Sequence, residues 1–183
     1  MTTYIALLRG INVGGNKTIA MADLRACAGK VGLVGAQTLL NSGNLVFRSG
    51  ASSAAAIEQL LEAESVKRLG LETEYHVRTG SELQDAIARN PFPREAKDDP
   101  GHLHVSFFKE PPSPKSVAAL QAAIKGRELV RASGRHAYLV YPDGAGRSKL
   151  TSAMLDKHLG RGTARNWNTV MKLLVLASAY NHE

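Results

Sequence analysis

"TLLNSGNLVF", residues 38–47, sets two runs of apolar and β-forming residues on either side of a tight Asn41-Ser42-Gly43-Asn44 link. Asparagine and glycine in so short a link favour the turns that reverse a β-hairpin, so strands are expected at about 36–41 and 45–48. Just upstream, Met21, Leu24, Ala28 and Val31 recur at helical spacing, and Gly32 follows as a stop. Further upstream, residues 3–9 (TYIALLR) form a short apolar run with β-formers, read as a buried strand. Downstream, Ser52 or Ser53 can cap a helix carrying Ile57, Leu60 and Leu61, and residues 73–78 alternate as a further strand. The hairpin therefore sits inside the order β-α-β-β-α-β, the split βαβ of a ferredoxin-like unit.

The second half follows a related pattern. Thr79-Gly80-Ser81-Glu82 is a capping box that starts a helix over about 80–89, and the proline-rich stretch at 90–101 reads as a connecting loop. A strand is expected at 102–109, then a helix with Ser113 as cap and Pro114 in its first turn. Two strands at 128–132 and 136–141 flank a Ser133-Gly134 turn. A helix carrying Leu150, Met154, Leu155 and Leu159 ends at Gly160, and a last helix carries Val170, Leu173, Leu174 and Ala177. This half reads β-α-β-β-α-α, a second ferredoxin-like unit whose final strand is missing or replaced. The fold class expected is α+β, with two ferredoxin-like subdomains at 1–79 and 80–183, mixed or antiparallel sheets and a C-terminal helical extension.

Composition bounds the function. The 183 residues are 44% hydrophobic and 21% charged, enough for a packed core. One cysteine, Cys27, excludes an internal disulfide and suits a reducing, cytoplasmic setting. The longest apolar run, 173–177, is far too short to span a bilayer, so no membrane partner is expected. The net charge of +7 is concentrated late: residues 125–183 hold 10 Lys and Arg against 4 Asp and Glu. That asymmetry suits an anionic partner, and equally a solvated basic face.

Three polar constellations stand out. Residues 10–18 read G-x-x-x-x-G-N-K-T, one residue from a phosphate loop, but Asn16 displaces Lys17 from the required register. The helix that follows also returns into a hairpin, where a phosphate loop needs a parallel strand–loop–helix unit. What remains is a glycine connection requiring positive φ, or a loop whose amides, with Arg9, Asn12 and Lys17, hold a smaller anion. In "DGAGRSKLT", residues 143–151, Ser148 can cap the next helix with Arg147 and Lys149 beside its positive end, an anion site or a plain basic turn. In "TARNWNTVMKL", residues 163–173, Asn166 or Asn168 is a natural cap, and Trp167 is either a core residue or a stacking surface beside Arg165.

Other chemistry is thinly represented. His102 and His104 would share a strand face, but no third metal ligand accompanies them, and no cofactor is indicated. Ser42 lacks a nucleophile elbow, Cys27 lies on a core stripe, and Asp143 and His104 are faint candidates for a general base. Base stacking in the manner of an RNA-recognition motif would have only Tyr4 and Phe47, so nucleic acid could be held only through its phosphates.

Several motifs in one order, "ALLRGINVGGNK", "TLLNSGNLVF", "LHVSFF", "GRSKLTSAML" and "RNWNTVMKL", resemble those of the domain of unknown function 1697 family over about residues 4–176. Departures are small: residues 51–56 are rich in alanine, and Leu39-Leu40 replaces a tyrosine–isoleucine type of pair. The resemblance implies two ferredoxin-like subdomains in a bacterial-type cytosolic protein, and no assigned activity. Its polar signature falls on Arg9, Asn12, Lys17, Ser42, Asn44, Arg147, Ser148, Lys149, Arg165, Asn166 and Trp167, expected in loops or at helix starts. Rich in cations and amides, this set suits a phosphate- or carboxylate-bearing ligand in a cleft between the halves. Whether chemistry occurs, and in what oligomeric state, the sequence leaves open.

Overall fold

The computed structural model describes residues 1–15, 17–51 and 53–180. In chain order the elements are β1 (Thr2–Leu8), α1 (Met21–Lys30), β2 (Val34–Thr38), β3 (Asn44–Ser49), α2 (Ala54–Leu69), β4 (Tyr75–Thr79) and α3 (Gly80–Ala88). There follow α4 (Pro93–Asp98), β5 (Leu103–Phe108), α5 (Pro114–Ala123), β6 (Leu129–Ser133), β7 (His136–Val140), α6 (Ser152–Leu159), β8 (Gly162–Asn166) and α7 (Trp167–Ala179). They form two four-stranded sheets, ordered β2-β3-β1-β4 and β6-β7-β5-β8, in which every neighbouring pair is antiparallel. Both are α+β layers of the ferredoxin-like kind. Two compact units result: Met1–Gln84 together with the chain from Lys172 onward, and Asp85–Met171.

In the first unit the alternation of β1 sends Tyr4, Ala6 and Leu8 to one face, in register with Phe47 and Leu45 on β3 and with Val77 and Tyr75 on β4. That face packs against Leu24 and Ala28 of α1 and Ile57 and Leu61 of α2. Each such aliphatic side chain contributes about 1.5–3 kcal/mol on leaving water. Ser53 caps α2, its hydroxyl accepting from the Ala56 N–H at 3.1 Å, while Ser52, the other expected cap, lies outside the described residues. In the second unit Phe108, Val130, Ala137 and Leu139 meet Leu120 of α5 and Leu155 and Leu159 of α6.

The structure corrects several sequence expectations. The second unit has its fourth strand: β8 pairs with β5 from His104↔Asn166 to Phe108↔Gly162. Its sequence GTARN offers no apolar run, because only Thr163 and Arg165 turn inward. Gly162 is required there, since a Cβ would lie 2.7 Å from the Phe107 carbonyl oxygen. Residues 90–101, read as a loop, hold α4 with Pro93 at its first turn and a 3-10 turn at Pro100–His102. The helix start expected at Ser148 belongs to Thr151, whose hydroxyl accepts from the Met154 N–H at 3.3 Å. After α7, the Tyr180 hydroxyl donates to the carbonyl oxygen of Gly35, with that of Val46 3.3 Å away, fastening this segment to the first sheet.

Candidate functional site

The chain between β1 and α1 is a glycine loop with an unusual backbone. Gly10, Asn12, Gly14, Gly15 and Lys17 all have positive φ, at 63°, 52°, 60°, 78° and 47°. A Cβ on any of these three glycines would meet nothing within 4 Å, so glycine is needed there for backbone direction and not for room. Asn12 clasps the loop. Its side-chain N–H donates to the carbonyl oxygens of Asn41 (2.7 Å) and Ile19 (3.1 Å), and its Oδ1 accepts from the Ile19 N–H (2.8 Å). Lys17 Nζ donates to the Glu72 carbonyl oxygen at 2.6 Å. Arg9 is moored through its backbone, accepting from Thr73 Oγ1 at 2.6 Å and donating to the Glu74 oxygen at 3.0 Å. The loop thus hangs between the hairpin turn and the segment leading into β4, with Val13 exposed on it.

This geometry removes the phosphate-loop likeness. The strand before the loop is antiparallel to both neighbours, and the lysine is engaged with a peptide carbonyl. Asn16, the residue that displaces the lysine in sequence, lies outside the described residues.

The hairpin turn stands next to the loop. Leu8 N–H donates to Gly43 O at 2.9 Å, and the buried Asn44 amide donates to the Leu39 carbonyl oxygen (2.7 Å) and to Ser42 Oγ (3.0 Å). At φ 80° Gly43 packs so closely that a Cβ would lie 2.6 Å from Ile11 Cδ1. Arg9, Asn12, Lys17, Ser42 and Asn44 therefore gather in one region of the first unit. Asn44 is a core position, not a displayed one.

The remaining nominated residues lie on three elements of the second unit. Ser148 Oγ donates to Glu128 Oε1 at 2.6 Å and accepts from the Leu150 N–H at 3.0 Å, while Arg147 and Lys149 stand exposed on either side. Arg165 is not a loop residue: it is buried on β8, its Nη1 donating to Thr163 Oγ1 (2.7 Å) and the Ala164 carbonyl oxygen (2.8 Å). Burial pushes its pKa down to about 10, leaving it charged at neutral pH. Asn166 caps α7, accepting from the Asn168 N–H at 2.8 Å, and Trp167 is buried, as a core residue would be.

The faint catalytic candidates are engaged elsewhere. Asp143 pairs with Arg127, whose hydrogen bond holds the carboxyl below its usual value. His104 sits edge-on to Tyr141, and burial lowers its pKa. His102 lies in the 3-10 turn and not on β5, with Nδ1 2.8 Å from Asp99 Oδ2. Burial raises the Cys27 pKa, away from thiolate chemistry. Tyr4 and Phe47, the aromatics considered for base stacking, stack on each other in the core. Among the described residues no group of three metal-binding side chains forms, and no helix is long and apolar enough to cross a membrane.

The model of the family described as "Protein of unknown function (DUF1697)" matches residues 1–138. The chain belongs to that family. The matched span includes the glycine loop and the hairpin turn; the motifs around Arg147 and Arg165 lie beyond it. The structure of conserved bacterial protein SP0830 from Streptococcus pneumoniae is similar, with a TM-score of 0.73 and 23% identity, over 96% of this chain and 98% of that one. At that identity the likeness concerns the fold. No curated protein matches the chain.

Two hollows exist away from the nominated residues. One, of about 430 Å³ in the first unit, is lined by polar residues such as Thr2, Thr79 and Gln84 and by apolar ones such as Leu174 and Ala177. The other, of about 480 Å³ in the second unit, lies between α5 and β6. Sequence reading also passed over Glu58 and Glu62. Their Oε1 atoms accept from the Val77 (2.8 Å) and Tyr75 (3.0 Å) N–H groups, closing the outer edge of β4. Like charges at i and i+4 are unfavourable on a free helix, and that spacing was the available signal.

Proposed function

We propose that this DUF1697 chain is a binding module for a small phosphate- or carboxylate-bearing ligand, received by the glycine loop at 10–17. One observation carries the reading: five left-handed residues, Gly10, Asn12, Gly14, Gly15 and Lys17, lie within that span, and the Asn12 clasp ties the loop to the hairpin turn. A turn rich in such residues directs backbone N–H groups outward, the kind of concavity that receives an anion. The Asn12 N–H is itself held by the Lys17 carbonyl oxygen at 3.2 Å, which leaves the glycine N–H groups for the ligand. Asn12 and Lys17 adopt this backbone at a cost of about 1 kcal/mol each, and such strain is stored at functional sites. Arg9 and Lys17 supply positive charge at the two ends of the loop, with Ser42 beside it; Arg147 and Lys149 offer two further exposed cations on the second unit.

The test is a thermal-shift titration of the full chain with inorganic phosphate and a panel of phosphorylated and carboxylated metabolites. Ligand bound to the native state at one hundred times its dissociation constant adds about 2.7 kcal/mol. A concentration-dependent rise in Tm with one ligand class, abolished by the double substitution Gly14→Ala and Gly15→Ala, is the expected result. No shift across the panel, or a shift that survives that substitution, refutes the proposal.

A further inference from the structure

The second hollow has a construction the first lacks: one of its walls is the outer edge of a β-sheet. Among the described residues strand β6 pairs only with β7, and residues 130–134 line the groove. Register fixes which backbone groups face it. Ser133 and His136 close a two-residue hairpin, so Ser133, Arg131 and Leu129 bond to β7, while Val130 and Ala132 present N–H and C=O outward. Val130 is already provided for. Gln121 Oε1 accepts its N–H at 2.8 Å, and Arg131 Nη1 donates to its carbonyl oxygen at 2.9 Å. Ala132, two residues on, is exposed and has no such side-chain clasp.

The opposite wall is apolar: Pro111, Pro112 and Pro114 lead into half-buried Val117 and exposed Ala118 of α5. An edge strand facing an apolar helix across a groove is the arrangement in which an extended peptide adds itself to a sheet. Main-chain bonds supply affinity, and alternate side chains enter the apolar wall. The charge is one-sided. Arg131 is the charged residue among those that line the groove, and no carboxylate stands among them.

We propose that the groove between β6 and α5 is a docking site for an extended acidic peptide, one that pairs with the Ala132 backbone, sets apolar side chains against Pro111, Pro112 and Val117, and places a carboxylate at Arg131. The Gln121–Val130 bond acts as a latch. It ends the open edge after one residue, and it must open for the added strand to lengthen beyond Ala132. This site lies in the second unit and does not depend on the glycine loop.

The test uses the isotopically labelled full-length chain and three blocked hexapeptides: alternating valine and glutamate, alternating valine and lysine, and the glutamate peptide N-methylated on its backbone. The glutamate peptide is expected to shift amide resonances at 130–134 and 114–121. The lysine peptide should bind about threefold more weakly, as expected for one exposed ion pair, and the methylated peptide should fail. Ala132→Pro removes only an outward N–H, which an edge strand tolerates, and should weaken binding at least about tenfold. Arg131→Glu should reverse the preference between glutamate and lysine. No shifts at millimolar peptide, shifts elsewhere, equal binding of the methylated peptide, or unchanged affinity in folded A132P overturns the proposal. Should A132P not fold, an unaltered charge preference in R131E overturns it.

Discussion

Arg78 and Arg165 occupy the same place in the two units. Each is buried on the last strand, opposite Ile5 of β1 in one case and Val105 of β5 in the other. Each donates from Nη1 to the carbonyl oxygen of the residue before it, at 2.8 Å. Each precedes the residue that caps the next helix. Thr79 does so through a capping box with Glu82 (2.8 and 3.1 Å), and Asn166 through its own side chain. The means of closing an outer edge differ, however. β4 is sealed by two carboxylates from α2, whereas β6, whose counterpart in the first sheet is β2 rather than β4, is closed at Val130 by Gln121 and Arg131 and left open beyond it. One topology can thus be built twice with little shared sequence, because a strand end, a cap or an edge seal can each be met by several side chains. Beyond Val130 the edge of β6 lines a groove.

The comparison can be broken at four points. The hairpin turns should differ most. Gly43→Val drives a branched side chain into Ile11 and Leu8 at φ 80° and should cost about 4 kcal/mol in urea unfolding. Gly134→Ala at φ 56°, with nothing within 4 Å, should cost about 1 kcal/mol. Equal losses would mean that the two turns carry equal packing. Next, Arg78→Ala and Arg165→Ala should each destabilise by about 3 kcal/mol, as expected when a buried, hydrogen-bonded group is deleted. A neutral result at either position would end the parallel between them.

The edge seals come third. Glu58→Ala leaves the buried Val77 N–H without its acceptor and should cost about 2 kcal/mol, while Gln121→Ala, at a half-buried edge, should cost about 1 kcal/mol. Glu58→Gln keeps an acceptor and should recover part of the loss. The smallest effect concerns pH. Burial depresses His104 in the folded chain, so the unfolded chain takes up the proton first. Its contribution is complete above the ordinary value of 6.5 and declines as pH falls from there through the lowered folded-state pKa. His104→Phe should flatten the Tm profile between pH 7 and 5.

Legibility in the sequence followed locality. The capping box at Thr79, the caps at Ser53 and Ser113 and the strand at 3–9, found at Thr2–Leu8, depend on neighbours within a few residues and stand where the residues place them. The hairpin exists too, but β2 ends at Thr38 instead of about Asn41, so its link runs from Leu39 to Gly43. β8 was missed because its inward side chains are threonine and arginine, which carry no hydrophobic period. A serine before an apolar run is a good cap, which favours Ser148 in sequence, but Thr151 stands closer to the helix and Glu128 claims the Ser148 hydroxyl. The polar signature proved mixed. Asn12 and Lys17 shape an exposed loop, whereas Asn44, Arg165 and Trp167 hold the core.

By itself the sequence determined the α+β class, the order of most elements and the membership in the DUF1697 family, since periodicity, turns and caps are short-range properties of the chain. Tertiary structure alone decided which polar residues are displayed and which are consumed. Asn12 meets Asn41, Lys17 meets Glu72, and Gln121 meets Val130 across separations of 29, 55 and 9 residues, and no local pattern encodes such pairings. A buried polar group must find its partner wherever the fold brings one, and only the folded chain says where that is.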